Sequence, residues 1–504
     1  MASARPLPHT LLRTCGSLSP SVELSGEASP PARPTGPRRR AARDESVSHI
    51  RWLVLVLCLL APAVARAADG GVYLYLQPLP PDAARLTFTI ASVSAVSSGG
   101  VEYPLTLSLK VAGPAETGRQ RLLASGRLPT GSCSGFVFRV KQAALKGASG
   151  EVPLAVPDTP VRLDAPFAVG SPQAAVVWLV LKYQESVTSD GGFSPVFSAV
   201  TPSRPIAARA GFVSNSGSNT ITVFDKGLAQ AVAVIDTCAG PAGMALDQRR
   251  RRVYVACSKD DEIQSIDVAT GDILERSRVS PGDRPREVAL TPDGLTLVSV
   301  NPGSNSVNFF DAASLTRRER VNVGSGPGSV VIEPTGQRVF VFNTLSSSVS
   351  VIDVASRSLV ATISTDAAPL RGRFSGRGDR LYVIHERSPY MTVLDPRQLN
   401  TVTRARLRIG VSAIEVDTVR GLVCIGGSGD TTIEFYDPNA LMPLYSMKAR
   451  AGVSYLAIDT EDSRLYMVSA TTRSLIVGRL ADRKVISEID VGDGPYGVAI
   501  MGEK

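Results

Sequence analysis

Four short runs decide the fold of this chain: Pro241-Ala-Gly-Met-Ala-Leu246, Arg252-Val-Tyr-Val-Ala256, Ile263-Gln-Ser-Ile-Asp267 and Asp272-Ile-Leu-Glu275. Each run places apolar residues over a few positions between polar or glycine-containing turns, which is typical of short antiparallel strands. The aspartate that ends the third run recurs along the chain. The members of this series are Asp225, Asp267, Asp311, Asp353, Asp395 and Asp437.

The spacing of these aspartates indicates a structural repeat. Successive members are separated by 42, 44, 42, 42 and 42 residues, and a further step of 42 falls on Arg479. A fixed period of this length, with four strands in each unit, is typical of a β-propeller. We count seven units, which begin near residues 206, 241, 283, 327, 369, 411 and 453.

The two ends of the repeat region complement each other. Pro495-Tyr-Gly-Val-Ala-Ile500 matches a first strand alone, whereas Ala207-Ala-Arg-Ala210 is a poor match to the first strand of the first unit. We therefore expect residues 495–500 to complete the first blade, which closes the ring and removes its exposed edges. The sequence predicts a seven-bladed propeller over residues 206–504.

A second region without the repeat precedes the propeller. Residues 69–190 contain period-two apolar runs such as Val72-Tyr-Leu-Tyr-Leu76, Leu86-Thr-Phe-Thr-Ile90 and Val176-Val-Trp-Leu-Val-Leu181. Such runs, separated by Gly, Pro and Ser clusters, indicate an antiparallel sandwich, and we expect residues 191–205 to be a linker. The predicted fold class is all-β: an N-terminal antiparallel β-sandwich followed by a seven-bladed β-propeller.

The first 67 residues are expected to lie outside both domains. Residues 1–46 are rich in Pro, Ala, Ser and Arg, which indicates a disordered leader or a misassigned start, with Val47 as the true start. Residues 47–67 combine Arg51, an apolar run and Ala65-Arg-Ala67, the pattern of a secretory signal peptide. The run is shorter than the about 20 residues of a membrane span. We therefore expect export to the periplasm or cell surface, without a transmembrane anchor in the mature chain.

Charge and cysteine usage narrow the function classes. The full chain has a formal net charge of +8. Nine arginines and four acidic residues lie in residues 1–67, so the remainder of the chain has 45 basic and 42 acidic side chains. No basic stripe remains, so we expect no nucleic-acid partner. His385 is the one histidine after the predicted signal peptide, and no C-x-x-C pair occurs. We therefore expect no cofactor and no zinc or haem site.

The repeat resembles the YVTN-type propeller repeat of exported bacterial proteins and archaeal surface-layer proteins. The resemblance is carried by Val253-Tyr-Val-Ala256, Val349-Ser-Val-Ile-Asp353, Val323-Gly-Ser-Gly-Pro327 and Val491-Gly-Asp-Gly-Pro495. It covers residues 206–504 and implies an interaction platform or a surface-layer component. Some propellers similar to this one hydrolyse lactones with clustered carboxylates, a metal or a histidine.

The preceding region resembles a bacterial extracytoplasmic domain of unknown function, a prealbumin-like or carbohydrate-binding-like sandwich. The residues that carry this resemblance are Leu128-Pro-Thr-Gly-Ser-Cys-Ser134, Phe136-Val-Phe-Arg-Val140, Val152-Pro-Leu-Ala-Val156 and Phe167-Ala-Val169. Cys133 stands where such domains usually have a tyrosine. The resemblance implies adhesion or glycan contact.

The repeated aspartates and two cysteines have structural interpretations. The six aspartates lie at the same turn of different blades, so we expect them to cap turns rather than to converge on a metal. Cys238 ends the fourth strand of one blade, and Cys257 ends the second strand of the next. Both ends lie on one face of a propeller, so a disulfide between them is our hypothesis. We expect Cys424 to be a buried apolar residue.

The candidate ligand site lies at the face where the first strands begin, because the blades converge there around the axis. The candidate residues are Arg286, Glu287, Arg371 and Tyr496, which follow inter-blade prolines, Tyr455 at the equivalent position of the seventh unit, and His385, which ends a second strand on the same face. Such side chains bind anionic or glycan-like ligands through charge-assisted hydrogen bonds and stacking. The alternative is that they only solvate the channel mouth.

The sequence favours a non-catalytic binding or scaffold protein of the cell envelope, whose partner is an unknown protein or glycan. The first alternative is a lactonase-like or other metal-assisted propeller hydrolase, although a single histidine supplies no credible Ser-His-Asp order. The second alternative is a structural component of a surface layer. Propellers host many functions, so the fold alone does not choose among the three.

Overall fold

The computed structural model describes residues 69–147 and 150–502. The predicted leader and signal peptide lie outside the described residues. Strands dominate both described ranges, which confirms the all-β fold class. Within these two ranges the helical elements are one short α-helix, Tyr183–Ser186, and the 3-10 helices Pro81–Ala83, Pro114–Glu116 and Ala207–Arg209. Across the described ranges no helix has the length and apolar character needed to cross a bilayer.

Residues 69–200 form an N-terminal β-domain, in which two sheets contribute to one core. Its strands are β1 (Asp69–Leu76), β2 (Leu86–Ser97), β3 (Glu102–Leu107), β4 (Val111–Ala112), β5 (Arg119–Pro129), β6 (Gly131–Gly147), β7 (Gly150–Leu154), β8 (Val161–Val169), β9 (Gln173–Leu181) and β10 (Phe197–Val200). One sheet runs β3, β5, β1, β9, β10, and the other is built on β2, β6 and β8. The core contains Phe88, Phe136, Phe138, Phe167, Phe193 and Phe197.

Two features of this domain differ from the expected antiparallel sandwich with a following linker. Strands β1 and β9 pair in parallel, with Leu74 opposite Val177, because the intervening strands connect them instead of a hairpin. The segment 191–205, expected as a linker, contains β10, which pairs with β9. Phe193 and Phe197 of this segment are buried in the core, and their burial holds it against the domain.

Within the described residues, positions 210–500 form seven four-stranded antiparallel sheets, which we call blades 1 to 7. In chain order the strands are β11 (Ala210–Asn215), β12 (Thr220–Asp225) and β13 (Gln230–Asp236) of blade 1; β14 (Pro241–Asp247), β15 (Arg252–Cys257), β16 (Glu262–Asp267) and β17 (Ile273–Arg278) of blade 2; β18 (Glu287–Leu290), β19 (Thr296–Asn301), β20 (Ser306–Asp311) and β21 (Arg317–Asn322) of blade 3; β22 (Pro327–Ile332), β23 (Arg338–Asn343), β24 (Ser348–Asp353) and β25 (Ser358–Ser364) of blade 4; β26 (Pro369–Phe374), β27 (Leu381–His385), β28 (Tyr390–Asp395) and β29 (Asn400–Arg406) of blade 5; β30 (Val411–Asp417), β31 (Leu422–Gly427), β32 (Asp430–Tyr436) and β33 (Pro443–Lys448) of blade 6; β34 (Tyr455–Asp459), β35 (Arg464–Ser469), β36 (Ser474–Arg479) and β37 (Lys484–Asp490) of blade 7; and β38 (Pro495–Ile500).

The first strands of the blades line the centre of a closed ring. Strand β38 pairs with β11, with Phe212 opposite Ala499 and Val213 opposite Val498, so both ends of the repeat region share blade 1. Each innermost strand contacts that of the next blade, and β38 contacts both β34 and β14. This closed succession of four-stranded sheets is a β-propeller.

The repeated aspartates hold the turn between the third and fourth strands. In Asp267, Asp311, Asp395 and Asp437 the Oδ1 atom accepts two backbone N–H groups, for example from Ala313 and Ser314 at 3.1 Å each. The residue four positions later adopts a positive φ, such as 53° at Leu315. Hydrogen bonds from Arg318 and the Ser314 N–H hold the pKa of Asp311 at about 2. The repeated aspartates therefore stabilise the same turn within successive blades.

A disulfide joins blades 1 and 2. Cys238 follows β13, and Cys257 ends β15; their Cα atoms are 5.7 Å apart and their sulfur atoms are bonded. The other two described cysteines, Cys133 and Cys424, are free and buried. Cys424 lies in an apolar cluster between blades 6 and 7, so burial raises the pKa of its thiol well above the usual value.

The N-terminal domain is attached to the outer edges of two neighbouring blades. Strand β9 pairs with β13 of blade 1, and β5 pairs in parallel with β37 of blade 7. The indole Nε1 of Trp178 donates to the Ala231 carbonyl at 2.8 Å, and the Gln120 side chain bonds both backbone groups of Ala231. Two edges that would otherwise expose backbone groups are thereby covered.

Charged side chains complete this domain junction. Arg119 Nη2 lies 2.7 Å from Glu488 Oε1, and Arg121 Nε lies 2.8 Å from Asp490 Oδ2. Glu488 and Asp490 are both buried. Ion pairs that are shielded from water in this way hold a defined relative orientation, because separating the partners leaves uncompensated buried charge.

A tyrosine at the junction predicts sensitivity to alkaline pH. Burial, reinforced by the nearby Asp236 carboxylate, raises the pKa of Tyr73 to about 12. Because the folded state holds this proton more tightly than the unfolded chain, the stabilisation is complete below pH of about 10 and is lost as pH rises toward about 12. Thermal unfolding between these pH values should show a smaller loss of stability for Tyr73→Phe than for the native chain. Equal losses in the two proteins would contradict the assignment.

Candidate functional site

The centre of the propeller is lined by equivalent positions of the first strands. The residue two positions after the inter-blade proline, or after the valine that replaces it in blades 6 and 7, is Gly243, Glu287, Ser329, Arg371, Ala413, Tyr455 or Gly497. Side chains at alternate positions of a strand point to the same side, so a second layer follows two residues later. Its polar members are Arg373 and Glu415. Polar groups of the two layers therefore come mostly from blades 3, 5, 6 and 7.

The first layer is built around an ion pair between blades 3 and 5. Arg371 Nη2 lies 3.1 Å from Glu287 Oε1, and each side chain is 9% exposed. Glu287 Oε2 also accepts the Val330 N–H of the intervening blade 4 at 3.3 Å. The pair thus joins three blades across the axis, and its burial makes each charge dependent on the other.

Tyr455 covers the arginine of this pair. The guanidinium carbon of Arg371 lies 4.3 Å from the centroid of the Tyr455 ring, and that of Arg373 lies 5.9 Å away. The Nε and Nη1 atoms of Arg371 are buried without a hydrogen-bond partner. The aromatic face compensates part of this loss by a cation–π interaction, so Glu287, Arg371 and Tyr455 form one contacting layer.

A second ion pair lies in the second layer, two residues further along the inner strands. Arg373 Nε is 2.9 Å from Glu415 Oε2, and Arg373 Nη2 is 3.5 Å from the Tyr455 hydroxyl. Burial opposes the charged form of Arg373, but Glu415 and Tyr455 outweigh it, so its pKa is raised. Sequence reasoning missed Arg373 and Glu415. Their positions could have identified them, because each lies two residues after an axis-facing position of its inner strand, Arg371 or Ala413.

The rim of the mouth carries the remaining predicted pair. Arg286 is exposed and donates from Nε to the Tyr496 hydroxyl at 3.2 Å, with its guanidinium carbon 5.7 Å from the ring centroid. Burial raises the pKa of Tyr496, and the Glu287 carboxylate adds to the increase. Five of the six predicted residues, Arg286, Glu287, Arg371, Tyr455 and Tyr496, therefore form one cluster, which we call the axial cluster together with Arg373 and Glu415.

His385 has a different environment. It ends β27, opposite Pro369, and its Nδ1 atom lies 3.1 Å from the Tyr390 carbonyl. Burial lowers the pKa of this histidine. Among the described residues, none of the hydrogen bonds or ring contacts that join the axial cluster involves His385. His385 thus lies beside the start of the inner strand β26 without joining the contacts of the axial cluster.

The repeat explains what His385 does. The equivalent positions in blades 1, 3 and 4 are Asn215, Asn301 and Asn343. In blades 1 and 4 the amide donates to the hydroxyl seven residues later on the third strand, Thr222 or Ser350. In blade 5 the corresponding hydroxyl, Thr392 Oγ1, is buried without a partner. His385 therefore fills an asparagine position, and its role is to terminate the strand.

Replacing His385 by asparagine is predicted to leave the propeller folded and slightly more stable. The amide can reach the Thr392 hydroxyl as its counterparts reach theirs, and a net hydrogen bond contributes about 0.5–1.5 kcal/mol. Urea unfolding of the native chain and of His385→Asn measures the difference. A loss of more than about 2 kcal/mol would show that the imidazole makes a contact that an amide cannot replace.

The described residues also lack a clustered metal-ligand set. Within 69–147 and 150–502, no three side chains of His, Cys, Asp or Glu come together in a way that could hold a metal ion. The carboxylates of the axial cluster, Glu287 and Glu415, are each paired with an arginine. The chemistry available at the axis is therefore that of arginine, carboxylate and phenol groups.

Comparison with known proteins supports the fold. No protein-family profile matches the chain, and no curated protein matches it. Among solved structures, a protein of unknown function from Desulfotomaculum acetoxidans DSM 771 aligns with a TM-score of 0.53 at 13% identity, over 59% of this chain and 100% of that chain. At this identity the likeness concerns the fold alone.

Two enzymes also align, with lower scores. Hydrazine synthase from Kuenenia stuttgartiensis aligns with a TM-score of 0.45 at 17% identity, over 51% of this chain and 88% of that chain. Dihydro-heme d1 dehydrogenase NirN in complex with DHE aligns with a TM-score of 0.47 at 14% identity, over 59% of this chain and 77% of that chain. The names of these two proteins describe those proteins alone.

Proposed function

We propose that this chain is an exported, non-catalytic binding scaffold of the cell envelope. The observation that carries the proposal is the junction described above, where the N-terminal domain continues the sheets of blades 1 and 7. Strand pairing and buried ion pairs make the two parts one body. A rigid body with a ring of blades and an attached β-domain can present several surfaces in fixed geometry, which is what a scaffold requires.

The axial mouth is the surface we propose for ligand or partner contact. Arg286 is exposed at its rim and is braced by Tyr496, so this arginine is held in place before any partner arrives. Prior ordering lowers the entropic cost of binding. The Arg371–Glu287 pair underneath is buried and spans the axis between blades 3 and 5, which favours a partner that rests on the mouth over one that passes through it.

The repeat type and the location are parts of the same proposal. A YVTN-type repeat is supported by the asparagines that end second strands, Asn215, Asn301 and Asn343, and by their bonds to neighbouring hydroxyls. Export is supported by the signal-peptide pattern of residues 47–67. The disulfide between Cys238 and Cys257 agrees with an oxidising compartment.

Cross-linking mass spectrometry on intact cells that express the tagged full-length chain tests this function. The expected result is a reproducible set of cross-links to one other envelope component, which is reduced in an Arg286→Glu variant. The charge reversal Arg278→Glu is the matched control, because Arg278 lies on the outer strand β17. Links confined to copies of this chain would contradict the scaffold function and favour a surface layer.

No specific observation favours a hydrolase. The carboxylates on the axis are held in ion pairs, and His385 lies apart from them. A metal-assisted reaction requires a coordinating set that keeps an open position. We therefore propose one function for the axial site, which is contact with a partner.

A further inference from the structure

A cleft lies where the N-terminal domain meets blades 1 and 7. Its volume is about 290 Å³, and its wall carries six hydroxyl groups. They belong to Tyr73, Thr106, Ser108 and Ser125 of the N-terminal domain and to Ser218 and Thr472 of the propeller. Ligand sites often form between domains, and this volume is close to the lower limit of about 300 Å³ for small-molecule pockets. The cleft therefore fits a molecule with a single ring.

The floor of the cleft holds a carboxylate with an unused oxygen. Asp490 is 9% exposed, and its Oδ2 atom accepts hydrogen bonds from Arg121 Nε at 2.8 Å and from the Leu122 N–H at 3.2 Å. Among the described residues its Oδ1 atom has no hydrogen-bond donor, and Arg119 Nη2 lies 3.7 Å from it. A buried acceptor without a donor is costly, so a donor group supplied by a ligand would lower the free energy of this site.

The charges of the cleft select a neutral ligand. Its lining contains two arginines and two aspartates, and they pair as Arg121 with Asp490 and Arg473 with Asp493, the second pair at 2.8 Å. Because each charge already has a partner, an ionic ligand would gain little by entering. Each serine or threonine hydroxyl offers one donor and two acceptor lone pairs, and Leu107, Leu122 and Val491 also line the cleft.

We propose that this cleft is a binding site for a neutral polyhydroxylated ligand of the size of one pyranose ring. Hydroxyl groups of the ligand would donate to Asp490 and exchange hydrogen bonds with the serines and threonines, while the C–H face of the ring would lie on the apolar part of the wall. The site is distinct from the axial cluster and does not rest on the function proposed for it. Both domains contribute to it, so it exists only in the joined molecule.

Saturation-transfer NMR with the full-length protein tests the proposal. The probes are methyl α-glucopyranoside, methyl β-galactopyranoside and N-acetylglucosamine, with glucuronic acid and glucosamine as charged counterparts. The expected result is saturable binding of at least one neutral probe, at least about tenfold tighter than its charged counterpart. Failure of all three neutral probes to bind, or binding of a charged probe with equal affinity, would overturn the proposal.

Two tyrosine substitutions locate the binding. Ser108→Tyr places a large side chain from an exposed position into the cleft, and Ser132→Tyr adds the same side chain to exposed surface of β6 outside the lining. Ser108→Tyr is expected to reduce affinity for the bound probe by at least about tenfold, whereas Ser132→Tyr leaves it unchanged. Unchanged binding in Ser108→Tyr, or equal losses in both variants, would place the sugar elsewhere and refute the site.

Discussion

Replacing Lys226 by methionine is expected to lower the free energy of unfolding by about 3–5 kcal/mol. Lys226 Nζ lies 2.7 Å from Asp459 Oδ2, and both side chains are 4% exposed. Lys226 follows β12 of blade 1, and Asp459 ends β34 of blade 7, so the pair joins the two blades where the ring closes. Methionine keeps most of the side-chain volume but leaves the buried carboxylate without its cation.

A double-mutant cycle separates this ion pair from other effects of substitution. Lys226→Met combined with Asp459→Asn removes both charges, and we expect it to recover part of the stability lost by Lys226→Met alone. Arg473→Met is the matched control, because it breaks a pair with Asp493 in which the side chains are 56% and 61% exposed. That change should cost less than about 1 kcal/mol. Urea unfolding measures the native chain, Lys226→Met, Asp459→Asn, the double variant and Arg473→Met, and similar losses in Lys226→Met and Arg473→Met would contradict the prediction.

Removing the disulfide is the second large effect that we expect. Cys238 and Cys257 are separated by 19 residues, and closing a loop of that size restricts the unfolded chain by about 3 kcal/mol in the chain-entropy account. The variant with both cysteines changed to serine should therefore unfold at lower urea concentration, by an amount that corresponds to this free energy.

Reduction provides an independent test of the same bond. Dithiothreitol should shift the urea midpoint of the native chain to that of the double-serine variant and leave the variant itself unchanged. The slope of unfolding free energy against urea reports the surface exposed on unfolding, so it shows whether the reduced chain still unfolds as one body. A native chain whose midpoint is insensitive to reduction under denaturing conditions would contradict a stabilising disulfide.

Local patterns made the propeller predictable from the sequence. The 42-residue spacing that runs from Asp311 to Asp437 follows from turn chemistry, and turn chemistry is encoded within a few residues. The same register gave most of the axial cluster, because equivalent positions of successive first strands converge at the centre. Arg373 and Glu415 obey the register as well and were missed because they lie one layer deeper.

Contacts between distant parts of the chain were not predictable in this way. Strand β5 reaches β37 across more than 300 positions of sequence, with Gln120 opposite Ile489, and no local pattern indicates that pairing. The same holds for β10 in the expected linker, where Phe193 and Phe197 complete a core assembled from remote strands. His385 was placed in the site because it ends a second strand on the same face, although the strand position that it shares with Asn343 indicates a structural role.

The closure of the ring determines which blades unfold locally first. Blade 1 contains both ends of the repeat region, which usually makes such a blade the first to fray. Here the N-terminal domain spans its outer edge and that of blade 7, Lys226–Asp459 ties it to blade 7, and Cys238–Cys257 ties it to blade 2. Amide hydrogens should therefore exchange first on the opposite side, in blades 4 and 5, and last around the closure, so that the point where the chain ends meet is the most protected part of the molecule.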